Sequence, residues 1–305
     1  MKKKNFFFIS NIYHYLRHLF IIKFGIFTSE KVLNNFFLNL FGIQVIRIFV
    51  SNFFLKIRRI FLFLPKKDHK DILFFKRNGY LQINNFLNKK DFNLLKKEFE
   101  NKSKKFKDIY KGKSRDKIVD KFKFDITKRS KIIKKISEDK RLKNLIEYAE
   151  GKKLIFKDKY KKNIFIWFER IVLNTKNSID GINKDPQTLL HRDTFYQTTK
   201  IIFYLNDVNT KSGPFVYSPG SHKLNIRKIL TEYLNSILNK DKCIRYKNNF
   251  FYDHYKRNEL PLVGKANSLI ITNTNGFHRR EKIRNFSERK TLRFSFRFNP
   301  FTLIS

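Results

Sequence analysis

The sequence predicts an α+β protein in which a mainly β core follows helical N-terminal layers. From about residue 163 onward, the chain consists of short apolar runs rich in β-branched and aromatic residues, separated by turn signals. Before that point, longer amphipathic and Lys-rich stretches are typical of helices. The length of 305 residues is ample for a well-packed core.

Five runs in the C-terminal half are predicted to be strands: residues 164–173, 200–205, 215–217, 268–272 and 291–298. Gly, Pro, Asn and Ser cluster between them, as in Lys211-Ser-Gly-Pro214 and Asn275-Gly276. Short strands at this spacing predict an antiparallel double-stranded β-helix of the jelly-roll or cupin kind. We expect its metal-binding core to span about 163–300.

The N-terminal region, residues 1–65, is predicted to be an amphipathic helical extension of a domain over 66–305, with the boundary at Pro65 and the charged residues that follow it. Polar residues at Asn39, Gln44 and Arg47 interrupt its most apolar stretch, which argues against a membrane-spanning helix. Packing on the domain is favoured, because apolar helix faces usually belong to a core. Peripheral contact with an anionic membrane surface remains the alternative.

Two shorter predictions concern the region between the extension and the β core. Residues 79–83 are predicted to be a strand, and Asn88 to begin a helix that runs to about residue 105. The Lys-rich stretch over 102–161 is predicted to form polar helices in a solvated outer layer. We expect no reaction centre there.

The net charge of +41 would ordinarily indicate a nucleic acid or an anionic membrane as partner. Here, however, Lys occurs along nearly the whole chain together with Asn, Ile and Phe, which are the residues of A- and T-rich codons. No nucleic-acid-binding motif accompanies the charge, so a nucleic-acid partner is not expected. The single cysteine, Cys243, excludes an intramolecular disulfide and a thiolate cluster, and favours the reducing cytoplasm.

The candidate reaction centre is a pair of metal-ligand residues, His191 and Asp193, with a distant partner, His278. In an extended segment, residues i and i+2 point to the same side, so the imidazole and the carboxylate converge while Arg192 points away. His278 follows a predicted strand and the turn at Asn275-Gly276. Two imidazoles and one carboxylate are the ligand set of non-haem iron(II) oxygenases.

An organic acid bound on the open side of such a metal needs a cationic partner, and a guanidinium makes a paired, permanently charged contact. Several arginines follow His278. Arg289 is favoured because it opens a predicted strand, and Arg293 is the reserve candidate.

Three segments resemble the phytanoyl-CoA dioxygenase-like family of Fe(II)/2-oxoglutarate-dependent oxygenases. They are Leu189-Leu-His-Arg-Asp-Thr-Phe195, Lys200-Ile-Ile-Phe-Tyr-Leu-Asn-Asp-Val208 and the more specific Ser212-Gly-Pro-Phe-Val-Tyr-Ser-Pro-Gly-Ser-His-Lys223. The resemblance extends over about 77–298. It implies iron ligands at His191, Asp193 and His278, and a 2-oxoglutarate partner at Arg289.

The resemblance implies a dioxygenase that binds Fe(II), 2-oxoglutarate and O2, hydroxylates a small organic or lipid-like substrate, and releases succinate and CO2. Asp193 favours hydroxylation, because halogenating relatives have a small residue in its place. Asn174 and Lys200 are further candidates to line the co-substrate pocket, whereas His222 is interpreted as structural. The substrate and the oligomeric state are not predicted.

Two alternatives to this enzyme remain open. One is a catalytically inactive jelly roll that binds an anionic membrane or a nucleic acid. The other is a non-oxidative, cupin-like enzyme with a different divalent metal.

Overall fold

A computed structural model describes residues 36–62, 69–108, 119–125, 128–156, 163–172, 186–238, 250–284 and 287–302. Its N-terminal half is mostly helical, with α1 (Phe36–Leu40), α2 (Ile43–Ile60), α3 (His69–Asn78), α4 (Lys89–Ser103), α5 (Lys131–Ser137) and α6 (Lys140–Glu150). The same half contributes the strands β1 (Tyr80–Ile83), β2 (Lys107–Asp108) and β3 (Val119–Phe124).

The C-terminal half supplies most of the β core. Its strands are β4 (Ile164–Val172), β5 (Thr199–Tyr204), β6 (Phe215–Tyr217), β7 (Leu260–Leu262), β8 (Leu269–Asn273), β9 (His278–Arg280) and β10 (Glu288–Phe296). Two helices, α7 (Ile226–Leu238) and α8 (Phe250–Arg257), lie between β6 and β7 in the sequence.

The strands form two antiparallel sheets that face each other. The larger sheet has the order β1-β8-β5-β10-β4-β3-β2, and the smaller has the order β7-β6-β9. Side chains from both sheets, including Ile202, Tyr204 and Ile270 from the larger and Phe215 and Tyr217 from the smaller, form one apolar cluster. The predicted jelly roll with helical N-terminal layers is confirmed.

The two faces of the larger sheet have different roles, because side chains alternate along a strand. On β10, Leu292, Phe294 and Phe296 point to the helices and belong to the main apolar core. Arg289 and Arg293 lie on the opposite face and line a cavity between the sheets. The strand therefore joins the core to the candidate site.

The region over 102–161 differs from the predicted solvated layer. Helices α5 and α6 are N-capped by Ser130 and Asp139, whose side chains accept hydrogen bonds from Ile133 N and Leu142 N. Their apolar faces belong to the main core, even though most of their lysines are exposed. Strand β3 pairs with β4 and brings Lys121 to the cavity. The Lys-rich composition gave no indication of the buried apolar faces of these helices or of the position of Lys121 at the cavity.

Helix α2 packs against the domain through an unusually polar side. Arg58 Nη1 donates to Pro300 O at 2.8 Å, and Arg59 Nε donates to Tyr148 O at 2.9 Å. The Arg47 guanidinium lies 4.5 Å from the centre of the Phe195 ring. The outward side carries exposed Ile46, Phe49, Phe53 and Ile60, among other large apolar residues. Among the described residues, no helix is long and apolar enough to cross a membrane.

Candidate metal centre

Backbone pairing brings the two candidate histidines together. His191 N donates to His278 O at 2.9 Å, and His278 N donates to His191 O at 2.8 Å, so the two residues form a directly opposed antiparallel pair beside β9. Opposed residues carry their side chains on the same face of a sheet. The centres of the two imidazole rings are accordingly 4.6 Å apart.

Asp193 completes the cluster from two residues further along. Its Oδ1 lies 3.8 Å from His191 Nε2 and 3.5 Å from His278 Nε2. One ligand atom from each of the three residues lies within 4.8 Å of the others, and this is the metal-ligand cluster found among the described residues. The structure thus brings together the three residues that the sequence selects.

Hydrogen bonds determine which imidazole nitrogen faces the cluster. His191 Nδ1 lies 2.7 Å from Leu189 O, and His278 Nδ1 lies 2.9 Å from Gly276 O. A carbonyl oxygen only accepts, so in the neutral form of each ring Nδ1 carries the proton and Nε2 keeps a lone pair. His278 Nε2 is buried and has no hydrogen-bond partner in the described part of the chain. A metal ion would satisfy that lone pair.

The protonation states also suit a metal. Burial, followed by the neighbouring His278, lowers the pKa of His191 to about 3, so its imidazole is neutral. Burial alone would raise the pKa of the Asp193 carboxyl, but Lys200 and His278 hold it well below its usual range. Divalent metals bind neutral imidazole and ionised carboxylate, so His191 and Asp193 need to lose no proton near neutral pH.

Lys200 fixes the orientation of the Asp193 carboxylate. Its Nζ lies 2.5 Å from Asp193 Oδ2, and Arg297 Nη2 lies 4.0 Å from the same oxygen. The other oxygen, Oδ1, faces both imidazoles. Lys200 also lines the cavity, and its contact with the co-substrate stays a prediction.

Arg192 points away from the cluster, as expected from its position between the two ligands. It is buried and forms a paired salt bridge with the Glu232 carboxylate on α7. Lys228, one helical turn earlier, lies 3.6 Å from Glu232. This contact ties the ligand segment to α7. Because the partner lies forty residues away, the sequence alone gave no indication of it.

A cavity of about 600 Å³ opens beside the three ligands, between the two sheets. Arg289 lines it, is almost fully buried, and donates a hydrogen bond to Gly213 O. Its Nε has no hydrogen-bond partner among the described residues. Burial, followed by repulsion from Arg293, lowers the pKa of Arg289 to about 9. The guanidinium remains charged at neutral pH, and a bound anion would stabilise this buried charge.

Glu169 on β4 is a cavity residue that sequence reasoning missed. Its carboxylate lies 2.9 Å from Arg293 Nη2, 3.6 Å from Arg289 Nη2 and 3.5 Å from Lys121 Nζ. Burial opposes ionisation, but Arg293 and the other cations hold the pKa of Glu169 far below its usual range. The reserve arginine, Arg293, is therefore already paired with Glu169.

The remaining candidates fall outside the cluster. Asn174 lies outside the described residues. His222 Nε2 lies 3.2 Å from Lys76 O, and its ring packs where Gly79 leaves space for it. This contact agrees with the structural interpretation of His222.

The family model described as phytanoyl-CoA dioxygenase (PhyH) matches residues 75–241, which is more than half of the chain. The match includes His191 and Asp193 and ends before His278 and Arg289. No protein of curated function matches the sequence significantly.

Solved structures provide a comparison of the fold. The epimerase SnoN, in complex with Fe3+, alpha ketoglutarate and nogalamycin RO, is similar with a TM-score of 0.53 and 12% identity, covering 77% of this chain and 88% of SnoN. EctD from S. alaskensis, with 2-oxoglutarate and 5-hydroxyectoine, is similar with a TM-score of 0.50 and 14% identity, covering 76% of this chain and 78% of EctD. At these identities, the likeness concerns the fold.

Proposed function

The chain belongs to the phytanoyl-CoA dioxygenase family of Fe(II)- and 2-oxoglutarate-dependent oxygenases, and on that premise we propose that His191, Asp193 and His278 hold its iron and that it hydroxylates a small organic substrate. This proposal rests mainly on the convergence of two imidazole Nε2 atoms and one carboxylate oxygen beside the cavity. An inactive jelly roll is not favoured, because the three ligands and Arg289 are all present and face the same cavity.

The donor set fits ferrous iron. Two imidazoles and one carboxylate are the ligand set of non-haem Fe(II) oxygenases, and these three protein ligands would leave positions open for other ligands. When bound, the iron activates dioxygen in a reaction coupled to the decarboxylation of 2-oxoglutarate to succinate and CO2. The protein contributes by presenting the Nε2 lone pairs of His191 and His278 and by directing Asp193 Oδ1 inward.

We propose that Arg289 binds the distal carboxylate of 2-oxoglutarate. Its guanidinium is buried, charged and only partly hydrogen-bonded, and it lines the same cavity as the ligands. A carboxylate there would make a charge-assisted pair in surroundings with little water. Because the guanidinium and the bound carboxylate would both be buried, Arg289 would bind the co-substrate in preference to water.

The iron and co-substrate assignment has a direct spectroscopic test. Anaerobic protein with Fe(II) and 2-oxoglutarate should give the visible charge-transfer band of a ferrous 2-oxo-acid complex. His191→Ala should abolish the band, because one of three protein ligands is lost. His254→Ala, which removes an exposed histidine outside the cavity, is the control and should keep the band. A band retained in the His191→Ala variant would contradict the assignment.

We also propose that the enzyme is cytoplasmic and that its N-terminal region, assigned to residues 1–65, makes a peripheral membrane contact. Support comes from the outward side of α2, where Phe53 and Ile60 are 60% and 77% exposed, in a chain of net charge +41. Anionic vesicles should sediment the wild-type protein. Phe49→Ser/Phe53→Ser keeps the net charge and should sediment less than wild type, and equal sedimentation of both proteins would contradict the contact.

A further inference from the structure

Helix α7 contacts both of the chain segments that carry the candidate metal ligands. One segment reaches the helix through Arg192, and the other reaches it through Asn275 and Phe277. The helix residues that make these contacts, Glu232 and Lys228, are four positions apart in α7, so they lie on the same side of the helix. A single helical turn therefore joins two segments that are far apart in the sequence.

Glu232 makes the contact with the first segment. Both of its carboxylate oxygens accept hydrogen bonds from Arg192, one from Nε and the other from Nη2. The two side chains are only 0% and 1% exposed. Paired hydrogen bonds fix the direction of a guanidinium as well as its position. Since Arg192 lies between His191 and Asp193, this contact restrains the backbone from which both ligands extend.

Lys228 makes the contact with the second segment. Its Nζ donates to Asn275 O at 2.9 Å and lies 3.9 Å from the centre of the Phe277 ring. Both residues belong to the turn that immediately precedes His278. The start of α7 holds Lys228 in place, because its backbone N–H donates to the Asn225 side chain at 2.8 Å.

The ligands and these contacts lie on opposite sides of the same backbone. His191 and His278 face the cavity, whereas Arg192 and Phe277 contact α7, as expected where successive side chains alternate. A buried ion pair contributes little net stability, since apolar side chains of similar volume are often at least as stable. What the pair of Arg192 and Glu232 provides is a defined direction and separation between the ligand segment and the helix.

Resting on the proposed iron site, we propose that Glu232 and Lys228 are positioning residues for the metal. Backbone pairing of His191 with His278 joins the two ligand segments directly, and α7 joins them a second time from behind the ligands. Loss of either contact with α7 lets one segment move relative to the other. Metal affinity then falls, because the three ligands converge less well on one point.

The test measures the affinity of the full chain for Mn(II), followed by EPR, in variants of the two helix residues. Glu232→Gln keeps the size of the side chain but replaces one of the two acceptors with a donor. The Kd of Mn(II) should rise about tenfold, as is typical when a residue that supports metal ligands is lost. Lys228→Met lacks the donor to Asn275 O, and it should raise the Kd by a smaller factor.

A matched control separates positioning from a general loss of stability. Tyr233→Phe removes a hydrogen bond of 2.9 Å from the same helix to Leu40 O, which lies outside both ligand segments, and it should leave the Kd of Mn(II) unchanged. At saturating Mn(II), the zero-field splitting in the EPR spectrum should change in Glu232→Gln and not in Tyr233→Phe. Glu232→Asp keeps the carboxylate and should give an intermediate Kd, which preserves the test if the Gln variant does not fold.

The outcomes distinguish this inference from the proposed function. An unchanged Kd of Mn(II) in either Lys228→Met or the folded variants of Glu232, or an equal rise in Tyr233→Phe, would overturn the inference alone. Failure of the wild-type protein to bind Mn(II) and 2-oxoglutarate would overturn the proposed function, and this inference with it.

Discussion

The two faces of β10 are made of different chemistry. Toward the helices, Leu292, Phe294 and Phe296 are buried in the apolar core, while toward the cavity Arg289 and Arg293 surround Glu169. The period of two along a strand separates the two sets, so neighbouring residues serve stability and binding respectively. A shift of one residue in register would exchange them.

Two buried glutamates show the same difference electrostatically. Glu150, at the end of α6 beside Thr199, has its pKa raised to about 7, chiefly by burial. For Glu169, on the cavity face, burial is outweighed by Arg293, Lys121 and Arg289, which lower the pKa. Cations on the cavity side of the larger sheet therefore stabilise the charged form of Glu169. On the side that packs against the helices, burial destabilises the charged form of Glu150.

The largest effect on stability is expected from Phe294→Ala. Its ring is 1% exposed, and deleting a core aromatic costs about 3–5 kcal/mol in the free energy of unfolding. Denaturant titration would measure the loss, while the Kd of 2-oxoglutarate in the folded fraction should not change. A loss below ~1 kcal/mol would show that the helix face is not the stabilising one.

Arg289→Ala should mainly affect binding. Hydrogen bonds to charged groups contribute roughly 1.5–3 kcal/mol each, so the Kd of 2-oxoglutarate should rise on the order of a hundredfold. Calorimetry with the Mn(II)-loaded protein would measure this change, and Mn(II) affinity should be nearly unchanged. A larger loss in Arg293→Ala than in Arg289→Ala would instead assign the co-substrate contact to Arg293.

A smaller effect, the dependence of stability on pH, should distinguish Glu150 from Glu169. The pKa of Glu150 is raised on folding, so the folded state binds more protons and its contribution to stability falls as pH rises from about 4.5 to about 7. Glu150→Gln should therefore gain stability over wild type between pH 5 and pH 8, by roughly 1–3 kcal/mol.

Glu169→Gln is the matched comparison for that prediction. The lowered pKa of Glu169 gives stability that is present above its unfolded pKa and is lost only in strong acid. The Gln variant should therefore be less stable than wild type by an amount that stays constant over pH 5–8. Denaturant titrations at several pH values measure both differences in the free energy of unfolding. If the difference between Glu150→Gln and wild type did not change with pH, the predicted contrast between Glu150 and Glu169 would be wrong.

The sequence predicted the parts that depend on local pattern or on specific motifs. The strand over 164–173 is observed as Ile164–Val172, and the helix predicted to begin at Asn88 is observed as Lys89–Ser103, with Asn88 as its N-cap. The i, i+2 spacing of His191 and Asp193 predicted their common direction, and the turn at Asn275-Gly276 predicted the position of His278 close to a strand terminus.

Features that depend on strand pairing were not predictable. Lys121 faces the cavity because β3 pairs with β4, which aligns it with Glu169, and neither residue belongs to a motif. The apolar faces of α5 and α6 were likewise hidden by their many lysines. Local composition describes the exposed side of an element, whereas burial depends on distant partners.

The central claim, that the cavity face of the jelly roll holds iron and 2-oxoglutarate, is tested most directly by an anaerobic crystal structure of the full chain with Mn(II) and 2-oxoglutarate. Anomalous scattering should locate the metal between His191 Nε2, His278 Nε2 and Asp193 Oδ1, with the distal carboxylate of 2-oxoglutarate on Arg289. A metal bound elsewhere, or a co-substrate that does not contact Arg289, would contradict the account.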